Sequence, residues 1–256
     1  MLLEGKRIAI FNVANKRSIA WAIAKALDAQ GAELIVGYQN ERTEDAVLAL
    51  TGQLNRAPAA VVPCDVVVPE QIEAVQEAVA EKVGKIHGLV HSLAYAPRSA
   101  LKNPYLFTER EDFLTTLEVS TYSLVALTRA FMPLFADEAS VIAITFYGAE
   151  KVMPNYNVMG VAKAALEASV RYLACDLGQA GVRVNAISSG PINTLAARGV
   201  EGFQGFLEIH RQKAPLKRSV EPREVGDAAV FLASDLSLAI TGQVIYVDAG
   251  YQIMGV

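Results

Sequence analysis

Two side chains in the run Asn155-Tyr156-Asn157-Val158-Met159-Gly160-Val161-Ala162-Lys163 have the types and spacing for proton chemistry. Tyr156 and Lys163 stand seven residues apart. Seven residues are nearly two helical turns, so on one helix the pair shares a face about 10 Å apart along the axis. Small residues between them leave the lysine room to reach back. An ammonium there lowers the cost of a developing phenolate and can also hold ribose hydroxyls. A tyrosine and a lysine also share helices with no chemistry attached, so the surrounding elements must decide.

Short strand-like runs alternate with helical patterns almost from end to end. Arg7–Phe11, Glu33–Tyr38, Ala59–Cys64, Ile86–His91, Val141–Thr145, Val182–Ser188 and Val244–Val247 read as strands. Ser18–Gln30, a stretch reaching about Leu54, Pro69–Val83, Thr108–Phe135 and Asn155–Gly178 read as helices. Gly31 closes the first, and Pro69 suits the first position of the third. Strands separated by helices of this length predict an α/β chain. The expected fold is a Rossmann-type doubly wound parallel sheet of about seven strands with helices on both faces. No repeat or composition break marks a linker, so one domain over residues 1–256 is expected.

Hydrophobic residues make up 52% of the 256 and charged residues 20%, ample for one extended core. A net charge of −4 argues against nucleic acid as a partner. The N-terminal run has no basic segment leading into an apolar stretch, and no apolar run approaches a bilayer span, so no membrane association is expected. Cys64 and Cys175 have no partner motif, and a reducing, cytoplasmic location fits. His87, His91 and His210 form no ligand pattern, and no metal site is expected.

In such a sheet, ligands sit beyond the strand carboxyl ends. The loop from Phe11 to Ala20 is where a dinucleotide pyrophosphate would rest, on the N-terminus of the first helix. It lacks G-x-G-x-x-G, and Asn12 stands where a glycine would allow close approach. Ser18, followed by Ile19, either donates to a phosphate or caps the helix. Strand two ends at Tyr38-Gln39-Asn40, where the adenosine ribose is read. Gln39 can bond hydroxyls and no cation occupies 38–40, which favours NADH over NADPH, although Arg42 is near in sequence. Asp65, with the Val66 amide, either meets an adenine or caps the helix ahead of Pro69. Small residues at Ser92-Leu93-Ala94 suit a flat ligand. Gly190–Ser219, irregular but weakly helical around Phe203–Lys213, reads as an active-site lid or as a surface excursion.

With these residues assembled, the chain resembles the short-chain dehydrogenase/reductase superfamily. Within it, the likeness is to NADH-dependent enoyl-acyl-carrier-protein reductases of bacterial fatty-acid synthesis. It runs over essentially the whole chain, through "RSIAWAIAKAL", "YQN", "CDV", "HSLAYAP", "PNYNVMGVAKAALEASVRYLA", "GVRVNAISSGPINTLAA" and "TGQVIYVDAGYQIMG". Most carbonyl reductases of the superfamily place the lysine four residues after the tyrosine. Here that position is Gly160, and Lys163 has the enoyl-reductase spacing. The resemblance implies hydride transfer from NADH to the β-carbon of a trans-2-enoyl thioester. It makes Tyr156 the hydrogen-bond donor to the thioester carbonyl and Lys163 the ligand of the nicotinamide ribose. Ile192 would meet the carboxamide and Thr194 the phosphates. Ala96 and Tyr147 join Tyr156 as expected substrate contacts, 190–219 becomes the substrate-binding loop, and a homotetramer is expected.

Acyl carrier protein, the implied partner, is acidic. From Leu195 to Arg223 the cations Arg198, Arg211, Lys213, Lys217, Arg218 and Arg223 outnumber Glu201, Glu208 and Glu221, a net +3 in a chain of −4. This surface either steers the carrier or is a mixed solvated face. Two positions depart from the family: Asn12 replaces the loop glycine, and Phe146 replaces a tyrosine at the end of strand five. Tyr147 points to the opposite face if the strand continues. These departures keep open a reductase of another activated alkene or ketone, and a silent dinucleotide-binding paralogue.

Overall fold

A parallel sheet is covered on both faces, which is why its strands are apolar at successive positions. In a computed structural model describing residues 1–255, β1 (Arg7–Phe11) leads to α1 (Ile19–Ala29), β2 (Glu33–Tyr38), α2 (Glu41–Thr51), β3 (Ala60–Pro63), α3 (Pro69–Lys82) and β4 (Ile86–His91). There follow α4 (Arg98–Lys102), α5 (Arg110–Leu117), α6 (Ser123–Phe131), β5 (Phe135–Phe146), α7 (Val158–Leu177) and β6 (Arg183–Ser189). The chain ends with α8 (Phe203–Lys213), α9 (Pro222–Ala233) and β7 (Val244–Val247). Val256, the last residue of the expected domain, lies outside the described residues.

The seven strands are parallel in the order β3-β2-β1-β4-β5-β6-β7. Alternation along β1 sends Ile8 and Ile10 to a core shared with Trp21, Ile23, Val47 and Val225 of α1, α2 and α9. Ala9 and Phe11 face the other core, built with Val75, Leu127 and Val170 of α3, α6 and α7. The order reverses between β1 and β4, which opens a crevice at their carboxyl ends.

Three expected elements are corrected. The helix expected over Thr108–Phe135 is two segments, α5 and α6, joined by a π-helical turn at Glu118–Tyr122. It stops at Phe131 because Pro133 follows and opens a 3₁₀ turn into β5. β5 therefore begins six residues earlier than the expected Val141. The helix expected from Asn155 starts at Val158, since Asn155 (φ 64°) and Asn157 (φ 45°) are left-handed. Tyr156 thus sits in the turn before the helix, not on the helical face that carries Lys163. The helix α9 was not among the expected elements; Pro222 at its start and the Glu224 carboxylate accepting from Glu221 N–H (2.9 Å) were its signals.

Helix α9 supports the N-terminal turn by packing closely on α1. A Cβ added at Gly226 would lie 2.8 Å from the Ala26 Cβ and 3.0 Å from the Ala22 carbonyl oxygen. Gly226→Val is expected to force the helices apart and cost about 1–3 kcal/mol, read as a lower urea midpoint with unchanged slope.

Candidate active site

A cavity of about 920 Å³ opens at the carboxyl ends of β1, β4, β5 and β6. Its wall at the switch point starts with Asn12, whose φ of 72° makes the turn that a glycine would otherwise make. Its side chain does not project into the crevice unpartnered: Nδ2 donates to the Ser92 carbonyl (2.9 Å), tying the ends of β1 and β4 together. Ser18 caps α1, accepting from Trp21 N–H (3.2 Å) and donating to the Asn15 carbonyl (2.8 Å). The cap satisfies one amide of the first turn, and the helix N-terminus still faces the cavity with its dipole.

Ser92, Leu93, Ala94 and Ala96 continue the wall after β4, and Ile192 and Thr194 close it after β6. Tyr156 and Lys163 line it as well. Gln39, Asp65 and Val66 do not. Gln39 is exposed at the end of β2, and Asp65 lies just past β3, its carboxylate accepting from Val67 N–H (3.2 Å). The alternative role for Asp65 as the cap of α3 is excluded, because Val68 holds that position and no side chain caps it.

Lys163 is buried, and Nζ donates to the carbonyls of Ile144 (2.8 Å) and Leu93 (3.3 Å) at the ends of β5 and β4. Burial pulls its pKa down to about 8, against the pull of the Glu167 carboxylate one turn along α7. Burial, with Glu167 adding, raises the Tyr156 phenol well above its ordinary value. The phenol is therefore protonated at neutral pH and able to donate. The lysine charge, and with it any affinity for an anion or a ribose, fades as pH rises through about 8.

Sequence reasoning gave no role to two polar groups behind this pair, Glu167 and His91. Glu167 is buried and accepts from Thr145 Oγ1 (2.7 Å); a carboxylate four residues after Lys163 was its signal. His91 lies 2.7 Å from Ser123 Oγ, which itself donates to the Val119 carbonyl (2.6 Å). The imidazole must then donate through Nε2, and burial next to Lys163 holds its pKa down to about 3. It is a neutral core histidine.

Tyr147, an expected substrate contact, does not line the cavity. Its hydroxyl donates to the Gln252 carbonyl (3.2 Å), and its ring packs between Tyr246 and Tyr251, outside the cavity wall. Strand alternation sends Phe146 the other way, edge-on to Tyr156 (centroids 5.0 Å) and to Phe206 of α8 (6.0 Å). The expected helix at Phe203–Lys213 is α8, and the 190–219 segment roofs the cavity with Leu195, Phe203, Phe206 and Ile209.

A family model described as enoyl-(acyl carrier protein) reductase matches residues 13–252. The chain belongs to this reductase family. It is 48% identical to the NADH enoyl-[acyl-carrier-protein] reductase of Bacillus subtilis, over 98% of this chain and 97% of the relative. Against the Rhizobium meliloti NADH enoyl-[acyl-carrier-protein] reductase 1, identity is 49% over 99% and 93%. The crystal structure of the Bacillus cereus enoyl-acyl carrier protein reductase with NADP+ and an indole naphthyridinone superposes with a TM-score of 0.98, at 47% identity, covering 100% of this chain and 99% of that one. The Aquifex aeolicus reductase gives 0.96 at 45%, with both chains covered in full.

The family's lysine spacing has a steric basis in this chain. A Cβ at Gly160 would lie 2.8 Å from the Gly148 carbonyl, and one at Gly148 would lie 2.5 Å from the Tyr156 ring. A lysine four residues after the tyrosine has no room, and this enoyl reductase supplies its cation from the next turn. At the other end of the cavity, Asn12→Gly is expected to lose only the bond to Ser92, about 1 kcal/mol. Asn12→Ala adds the cost of a left-handed alanine, for about 2–3 kcal/mol in all by chemical denaturation.

Proposed function

We propose that this chain is an NADH-dependent enoyl-acyl-carrier-protein reductase of bacterial type II fatty-acid synthesis, reducing trans-2-enoyl thioesters. The observation that carries the reading is the near-full-length family match in a chain whose Tyr156 and Lys163 line one cavity seven residues apart. The crevice suits the dinucleotide: a helix N-terminus, the left-handed turn at Asn12, and a buried ammonium facing it. When bound, NADH supplies the hydride delivered to the β-carbon of the substrate.

In this reading Tyr156 is the catalytic donor. Its phenol gives a hydrogen bond to the thioester carbonyl as charge grows on that oxygen, where a preorganised donor helps most. Lys163 holds ribose hydroxyls and keeps the site electropositive. Asn12, Ser18, Ile19, Ser92, Leu93, Ala94, Ile192 and Thr194 form the cofactor surface, with Gln39, Asp65 and Val66 at its adenosine end. Gln39 brings no cation to read a 2′-phosphate, consistent with NADH. Ala96 and Tyr156 contact substrate. The chain works as one catalytic domain, and residues 190–219 are its lid, a role supported by Phe203, Phe206 and Ile209 over the cavity. No observation favours ketone reduction or a silent paralogue.

The exposed apolar residues Leu114, Tyr122, Val161 and Tyr172 on α5, the π turn and α7 support a homotetramer that buries them. Free Cys64 and Cys175 support a cytoplasmic location. Among the described residues, no helix is long and apolar enough to cross a membrane. Carrier docking draws on the basic lid. Three of its cations are already paired: Arg211 with Glu208, Arg218 with Glu224 and Arg223 with Asp227. Among the described residues, no carboxylate pairs with Arg198, Lys213 or Lys217, so these carry the steering charge.

NADH oxidation followed with a trans-2-enoyl thioester, against 3-ketoacyl thioester and NADPH controls, tests the reaction. Turnover is expected with the enoyl substrate and NADH, falling about 10²-fold in kcat for Tyr156→Phe. NADH binding without turnover of any thioester would sink the assignment. With carrier-bound substrate, charge reversal at Arg198 and Lys213 is expected to lower kcat/KM severalfold at low salt and little at high salt, sparing a small thioester. Equal effects on both substrates would refute steering.

A further inference from the structure

The single buried side chain of α8 belongs to His210. Its imidazole stacks on Tyr251, centroids 4.8 Å apart and planes tilted by 31°. It also closes on Gly190, the first residue of the lid segment. A Cβ placed there would lie 3.2 Å from His210 Nε2, 2.7 Å from Val220 Cγ2 and 3.1 Å from Asp248 Cα. One ring therefore joins the start of the lid, the lid helix and the turn beyond β7. Among the described residues, neither ring nitrogen makes a well-formed hydrogen bond, although the Asp248 main chain lies near enough to favour a proton. That isolation is bearable for a neutral imidazole and far more costly for an imidazolium.

We propose that His210 is the positioning residue of the lid: its neutral, sealed ring seats α8 over the acyl cavity, and protonation unseats it. The proposal rests on the reading of residues 190–219 as a lid. Asp248, after β7, is the group that favours the proton, through its main chain and its charge. Its carboxylate is already committed to the amides of Gly250 (2.9 Å) and Gln252 (2.7 Å). Tyr251 presents a phenol that burial keeps neutral, and Gly190 and Val220 present no charge. On α8 itself, Glu208 and Arg211 are exposed and paired to each other, and Lys213 is exposed. Burial outweighs Asp248, so the pKa of His210 lies below the ordinary imidazole value. The sign follows. Above about pH 6.5 both lid states hold a neutral ring and closure is unaffected; below it the open state binds the proton first, and closure weakens.

The coupling also reaches the tyrosine. Phe206, one turn before His210, meets both Tyr251 (6.2 Å) and Phe146, and Phe146 meets Tyr156. Seating α8 therefore sets the apolar wall beside the proposed donor. An acid-opened lid is expected to raise KM for the thioester before it lowers kcat.

Amide exchange of residues 203–213 in the full-length protein, corrected for intrinsic rates, reads the lid directly. Opening is expected to increase as pH falls from 7.5 to 5.5, approaching about tenfold per unit below 6.5. In His210→Phe, which keeps the stacking ring, exchange and thioester KM are expected to be flat over this range. An acid response equal to that of the parent protein would overturn the proposal. Imidazole resonances of the unmutated protein, which has three histidines, give a second readout independent of any variant's folding. A His210 ring titrating at or above 6.5 would also overturn it. Neither readout requires turnover, so failure of the enoyl assay and failure of the latch appear in different measurements.

Discussion

A lysine ammonium buried against the ends of two neighbouring strands sets terms for everything around it. Removing a charge from water is expensive unless polar partners replace the water. Lys163 finds them in the carbonyls of Leu93, just past the end of β4, and Ile144, near the end of β5. The register of α7 over the sheet is thereby fixed, and so is the close approach of Gly160 to the Gly148 carbonyl. Burial, with the same charge adding, keeps His91 neutral, and Glu167 behind the lysine offsets part of its burial. The proposed mechanism draws its cation from this one placement, and burial with Glu167 keeps the phenol lining the same cavity protonated.

At the switch-point loop and in the tyrosine turn, left-handed backbone is made by asparagine rather than glycine. Asn12, Asn155 and Asn157 all have positive φ. Each spends its amide on a carbonyl of another segment: Ser92 for Asn12, Glu201 for Asn155 and Asn103 for Asn157. A glycine would make the turn without the tie. The exchange gives the tyrosine turn and the switch-point loop defined positions, and it links the tyrosine turn to the roof of the cavity through Glu201.

Adjacent aromatic residues at the end of β5 divide two tasks by strand parity. Phe146 faces inward and walls Tyr156, while Tyr147 faces outward and bonds the Gln252 carbonyl. The hydroxyl that the family's tyrosine would bring to the cavity is therefore absent from this wall. One residue along, a hydroxyl fastens the C-terminal turn on which His210 stacks.

Alternating strand and helix patterns, read from the chain alone, determined the fold class, seven strands within a few residues except the early start of β5, and the strand-end cavity residues Asn12, Ser18 and Ser92; Tyr156 and Lys163 stood out by type and spacing, and Ile192 and Thr194 by the family resemblance. Those features were legible because hydrophobic period and strand ends are local properties of sequence. The π-helical turn at Glu118–Tyr122, the turn holding Tyr156 and the outward path of Tyr147 were not. Each depends on φ values or partners supplied by distant segments, which no local pattern encodes. The protonation states of Lys163, His91 and His210 belong wholly to the tertiary structure. A side chain's charge depends on how much water its neighbours remove, and those neighbours meet only when the chain is folded.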